Sequence, residues 1–60
     1  MKLGVKVRIK KLANLPDSEK PYRNRIGTVA ANSGPGEVVL VDFDDEAIQH
    51  QFLAEDLEQI

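Results

Sequence analysis

Apolar and polar positions alternate with a period of two in three stretches of the chain. In LGVKVRIKKL, near the start, Val5, Val7 and Ile9 lie on one side and Lys6, Arg8 and Lys10 on the other. In EVVLVDF, residues 37–43, Val39, Val41 and Phe43 oppose Val38, Leu40 and Asp42. In AIQHQFL, residues 47–53, Ile48, His50 and Phe52 oppose Gln49, Gln51 and Leu53. This period marks half-buried β-strands, because successive side chains of a strand leave opposite faces. IGTVAA, residues 26–31, reads as a further strand, with Gly27 at a bulge or at a close approach of backbone. AEDL, residues 54–57, predicts one helical turn, and Glu58 to Ile60 a last short strand.

The connections are legible as well. NSGPG, residues 32–36, is turn chemistry throughout, and Asp44, Asp45 and Glu46 form a polar turn after the third strand. Residues 12–25, LANLPDSEKPYRNR, hold Pro16 and Pro21, which remove backbone donors and press Leu15 and Lys20 toward extended geometry. Neither a helix nor a central strand suits this stretch. A long loop results, of the kind that more often carries function than not, with Leu12, Leu15 and Tyr22 expected to pin it onto the core. The prediction is a single all-β domain over residues 1–60. It is a small SH3-like barrel of four to five short antiparallel strands, with one helical turn before the last strand. Closing such a sheet removes the edges at which chains aggregate.

Composition narrows the function. Sixty residues lie near the lower size limit for unaided folding, and the absence of cysteine rules out disulfides and thiolate metal sites. One histidine leaves little for a zinc site or for acid–base chemistry near neutrality. No apolar run approaches the roughly 20 residues that span a bilayer, and no signal-peptide pattern opens the sequence. The expectation is a cytoplasmic protein with no membrane insertion.

The net charge of −2 conceals a division. Residues 1–30 hold all eight Lys and Arg against two acids, a balance of +6, while residues 31–60 hold eight acids and no Lys or Arg, a balance of −8. Opposite charges facing across paired strands account for such a division structurally; an interaction surface accounts for it functionally. The candidate partner-binding set is Lys6, Arg8, Lys10, Lys11, Lys20, Tyr22, Arg23 and Arg25. Arg23 and Arg25, one residue apart, project the same way in extended chain, and Tyr22 is placed either to anchor an interface or to cover the rim of the core. Neither arginine belongs to the apolar pattern, so reversing both charges should leave the fold intact.

Other chemistry is thin. DFDDE, residues 42–46, lacks the glycine-pivoted loop of a calcium site and reads as a solvated turn. His50 with Asp42 makes no dyad, since no nucleophile completes one. GPG, residues 34–36, is no phosphate loop. No catalytic residue, metal or cofactor is predicted, and the chain is expected not to be an enzyme.

KVRI near the start, IGTVA after a proline-containing loop, VVLVDFDD and a closing FLAEDLEQI together resemble the small SH3-like subunits of photosynthetic electron transport. The PsaE family of photosystem I acceptor-side subunits is similar in its KVRI opening and its Tyr-containing segment before GTVA. The PetP family of peripheral cytochrome bf subunits resembles the chain in its start, its length and its end. The variable chain of ferredoxin–thioredoxin reductase is similar more loosely. Pro21-Tyr22-Arg23 stands where PsaE has Ser-Tyr-Trp, and Gln51-Phe52-Leu53 where PetP has Trp-Phe-Phe. KOW-type domains share the same skeleton.

The resemblance implies a non-catalytic accessory or regulatory subunit. It would dock on a larger protein complex or an acidic electron-transfer partner through its basic loop face, peripherally on the cytoplasmic or stromal side of the thylakoid membrane. Two alternatives stand beside it. One is a KOW-like RNA-binding module, against which a pI near 5.2 weighs. The other is a structural oligomer subunit using Leu12, Leu15, Leu40 and Leu53 as an apolar patch.

Overall fold

The computed structural model describes residues 1–33 and 37–60. Five antiparallel strands form one sheet in the order β4-β3-β2-β1-β5, where β1 is Lys6–Ile9, β2 Ile26–Ser33, β3 Val38–Asp42, β4 His50–Leu53 and β5 Leu57–Gln59. Two 3-10 turns, Lys20–Tyr22 and Ala54–Asp56, complete the elements. The all-β prediction holds, including the turn before the last strand. Among the described residues no helix is long and apolar enough to cross a membrane.

The alternation sets what is inside. Val7 and Ile9 of β1, Val39 and Val41 of β3, and Phe52 of β4 enter one core with Val29, Phe43 and Leu57, and no charged residue is buried with them. β1 is an interior strand between β2 and β5, pairing Val7 with Gly27 on one side and with Gln59 on the other. The outward rows carry polar partners: Lys6 sits opposite Thr28 and Arg8 opposite Glu58.

One open alternative is decided and three expectations need correction. The register between β2 and β3 shifts between Val29 and Ala31, so the bulge falls at Ala30 and not at Gly27. Gly27 is the close-approach alternative, because a Cβ there would meet Val41 Cγ1 at 2.4 Å. The second strand also runs on through Asn32 and Ser33, which pair with Val39 and Val38 and so are not turn residues. The rest of that expected turn, residues 34–36, lies outside the described residues. The fourth strand begins at His50, later than the alternation suggests. Residues 44–49 serve the connection, closed by the Glu46 amide donating to the Phe43 carbonyl at 3.0 Å, and Ile48 is left exposed. Finally, Leu12 does not pin the long loop. It is 92% exposed, while Ala13, Leu15 and Tyr22 are the residues that reach the core.

That loop is ordered by its own hydrogen bonds. Glu19 and Lys20 amides donate to the Pro16 carbonyl, at 2.9 and 3.1 Å, and lead into the first 3-10 turn. Asn24 then adopts φ +66, a left-handed conformation that asparagine tolerates better than most residues. It swings the chain onto β1, where Asn24 and Arg25 exchange backbone hydrogen bonds with Ile9 at 2.9 Å. The strand ladder is thereby extended beyond Ile26.

Candidate functional site

The candidate cations divide into those already engaged and those free. Lys6 Nζ donates to Thr28 Oγ1 at 2.9 Å across the outer sheet face. Arg8 lies 3.9 Å from Glu58, with both side chains about half exposed, a pairing worth little. Lys20 pairs with Asp17 at 2.8 Å on the surface. Arg25 pairs with Asp45 and sets its guanidinium carbon 5.2 Å from the Tyr22 ring centre and 5.0 Å from that of Phe43. Arg23 Nη1 donates to the carbonyls of Lys11 and Ala13, each at 2.7 Å. Lys10 and Lys11 are exposed and have no ion pair among the described residues.

The two arginines therefore do not project together. The left-handed turn at Asn24 sends Arg23 to the front of the long loop and Arg25 across to the β3–β4 connection. Both make contacts within the domain, so replacing them should cost some stability as well as charge. Tyr22 is 9% exposed, stacked on Phe43 with ring centres 4.8 Å apart and tilted against His50 at 4.3 Å. With Phe43 and Phe52 also buried, all three aromatic rings of the chain belong to the core. None is presented as a stacking platform.

The acidic turn is less idle than its composition suggests. Glu46 accepts a hydrogen bond from the Tyr22 hydroxyl, and Asp45 holds Arg25. His50, at the start of β4, meets neither Asp42 nor a nucleophile. Its Nδ1 lies 2.7 Å from Glu19 Oε1, so the nitrogen donates to a carboxylate that can only accept. Nε2 is buried without a hydrogen-bond partner, 3.5 Å from Glu46 Oε1. The imidazole thus stands between the long loop and the β3–β4 connection.

Ionisation follows these contacts. The Ser18 hydroxyl, with a further contribution from His50, holds the Glu19 carboxyl below its ordinary range. Arg25 does the same for Asp45. The bond to Glu46 raises the Tyr22 phenol. These groups lock two loops together. Among the described residues no group of His, Asp and Glu is arranged to hold a metal ion.

Two surface features of the described residues involve the leucines of the long loop and β4. The first is the tip Lys10–Lys11–Leu12, where Arg23 clamps the carbonyls on both sides of the exposed leucine. The second is a hollow of about 270 Å³ between the start of the long loop and β4, with Leu15 and Phe52 at its floor and Leu53 and Asp56 at its rim. Leu53 also lines an adjoining hollow with Glu37 and Glu55. Sequence reasoning missed the hollow and the locking roles of Glu19, Asp45 and Glu46. The one available signal was the leucine set itself: Leu12 is exposed, Leu15 buried, Leu40 half-buried and Leu53 46% exposed. Comparison with protein-family models, curated proteins and solved structures found no match.

Proposed function

We propose that this domain is a non-catalytic docking module that engages an acidic protein surface through the tip Lys10–Lys11–Leu12. The observation that supports it is a leucine 92% exposed, directly after two lysines that have no ion pair among the described residues, on a backbone held by Arg23. An apolar side chain kept in water on a fixed backbone gains on association without the ordering cost a mobile loop would bear. The two preceding lysines steer an acidic partner and raise its on-rate more than its affinity. Lys20 and Arg8 lie outside this tip, each with a weak exposed ion pair that a partner carboxylate can displace.

The resemblance to PsaE and PetP points to a peripheral regulatory subunit of a photosynthetic electron-transport complex, with a ferredoxin-like acidic protein as the first partner to test. RNA is the weaker choice. Every aromatic ring is buried, and single-strand readers depend on exposed rings. The test is capture from nuclease-treated native lysate, followed by titration of the purified partner against the parent and against Leu12→Ser and Lys10→Glu/Lys11→Glu variants. Binding should weaken in both variants and in the parent as salt rises past about 0.1 M, where the Debye length is near 10 Å. Equal binding by the parent and both variants removes the tip from the function, and capture abolished by nuclease transfers the domain to RNA.

A further inference from the structure

The hollow beside Leu53 has the opposite character to the tip. Its floor is apolar, from Leu15 and Phe52, and Asp56 stands at its edge. The adjoining hollow that shares Leu53 adds Glu55 and Glu37, the latter already paired with the N-terminal ammonium of Met1 at 2.8 Å. Among the residues lining the two, none is Lys or Arg, and Asp56 and Glu55 are carboxylates without an ion pair among the described residues. An occupant that fits is an apolar side chain flanked by cations. Among the described residues the most exposed apolar side chain of this kind is Leu12, directly after Lys10 and Lys11.

The geometry points to self-association, with the Lys10–Lys11–Leu12 tip of one copy seated in the Leu53 hollow of a second. Tip and hollow lie side by side: the Lys10 amide donates to the Asp56 carbonyl at 2.8 Å, and Leu15, three residues beyond Leu12, lines the hollow. Neighbouring complementary patches allow a two-fold arrangement in which both contacts close at once, as in most homodimers. Its own tip cannot fill the hollow in the same copy, because the Arg23 clamp keeps Leu12 in solvent. The lysines would meet Asp56 and Glu55, so the contact is salt-sensitive. Two tips make a small interface, well under the area of a stable complex, and the dimer is therefore weak and forms only at high concentration.

This goes beyond the docking reading, which does not use the hollow. The two share the tip, so a dimer withholds Leu12 from a partner.

Sedimentation velocity on the purified chain, from about 10 µM to about 1 mM, tests it over the range expected of a small interface. The sedimentation coefficient should rise with concentration at low salt and stop rising in about 0.5 M salt, where screening is nearly complete. Leu12→Ser and Leu53→Ser should each weaken association by roughly tenfold, the loss expected when a largely buried leucine contact is removed. Leu53 is 46% exposed, so the second change spares the core. Mixing the two variants restores one intact tip-in-hollow contact and should associate more strongly than either alone. A sedimentation coefficient independent of concentration overturns the proposal, as does an undiminished dimer in either variant or a mixture no stronger than its components. A parent that stays monomeric yet binds a synthetic peptide of residues 8–14, read by amide shifts at Leu53 and Asp56, also overturns it and gives the hollow to another protein's basic segment. Because Leu53→Ser leaves the tip intact, retained partner capture by this variant separates failure of self-association from failure of the docking reading.

Discussion

Replacing Gly27 with alanine probes the close approach of β2 to the Val41–Phe43 segment. The added Cβ would lie 2.4 Å from Val41 Cγ1, 3.0 Å from the Asp42 carbonyl oxygen and 3.1 Å from Phe43 Cδ1. Carbon atoms rest comfortably about 3.5–4.0 Å apart, so the methyl overlaps Val41 by more than about 1 Å. Val41 is fully buried and Asp42 contributes backbone, so neither has free space to yield. Overpacking of this kind costs about 1–3 kcal/mol, and the stiffer unfolded chain returns about 0.4–1 kcal/mol. With a backbone oxygen among the obstacles, the net loss should be about 2 kcal/mol. For a domain of this size that lowers Tm by roughly 8–16 °C. Thermal melts by circular dichroism measure it. A double variant, Gly27→Ala with Val41→Ala, removes the clashing methyl and should recover about 1 kcal/mol relative to the sum of the single losses. A single variant that melts within about 2 °C of the parent, with no coupling to Val41, would refute the close-approach account.

Other outcomes follow from the same contacts. Val41→Asp places an unpaired charge in the core and should unfold the domain, at a cost of several kcal/mol against a small total; retained amide dispersion in NMR spectra would contradict the strand register. Arg23→Lys keeps the charge but loses the planar guanidinium that bridges two carbonyls, and should speed hydrogen exchange at the Ala13 amide while Tm falls only slightly. Arg25→Glu sets like charge against Asp45 and removes the cation over two rings, and should lower stability by about 1 kcal/mol in a denaturant titration. Stability should also depend on pH at both ends. Glu19 and Asp45 titrate below their ordinary 4.5 and 3.8, so their contribution is present above those values and is lost as pH falls through the lower folded ones. Tyr22 titrates above 10.0, so its contribution is intact below that value and is lost as pH rises through the folded one. Melts across pH check both limbs, and Glu46→Gln should flatten the alkaline one.

The strands were legible where one residue in two is strongly apolar. Val7 and Ile9, and Val39, Val41 and Phe43, declare their buried face without help from distant contacts. The closing turn and last strand followed from the break in that rhythm at AED. What escaped prediction depends on partners far along the chain. Nothing local distinguishes Tyr22 from an exposed loop tyrosine. Its burial is decided by Phe43 and His50, more than twenty residues away. The same holds for Arg25 and Asp45, each surrounded by polar sequence that reads as surface. Ile48 misled for the opposite reason. It fits the alternation, yet the chain spends residues 44–49 bringing Asp45 and Glu46 back to the loop. The division of charge carried two meanings at once. Part of it is internal pairing, as in Arg25–Asp45 and Arg8–Glu58, and the part left over at Lys10 and Lys11 is the candidate docking tip.

The place of β1 between β2 and β5 has a consequence for how the molecule assembles. Its two neighbours come from opposite ends of the remaining chain: β2 follows after the long loop, whereas β5 is the last strand to emerge during synthesis. Until Leu57–Gln59 arrives, one side of β1 is an unpaired edge bearing Lys6 and Arg8 outward and Val7 and Ile9 inward. Local hairpins between β2 and β3 and between β3 and β4 can form early, but joining the ends is a long-range closure and sets the pace of folding. In that interval the waiting edge of β1 carries open hydrogen-bonding groups beside two cations. The lysine and arginine on the waiting strand then serve to keep two such chains from zipping together.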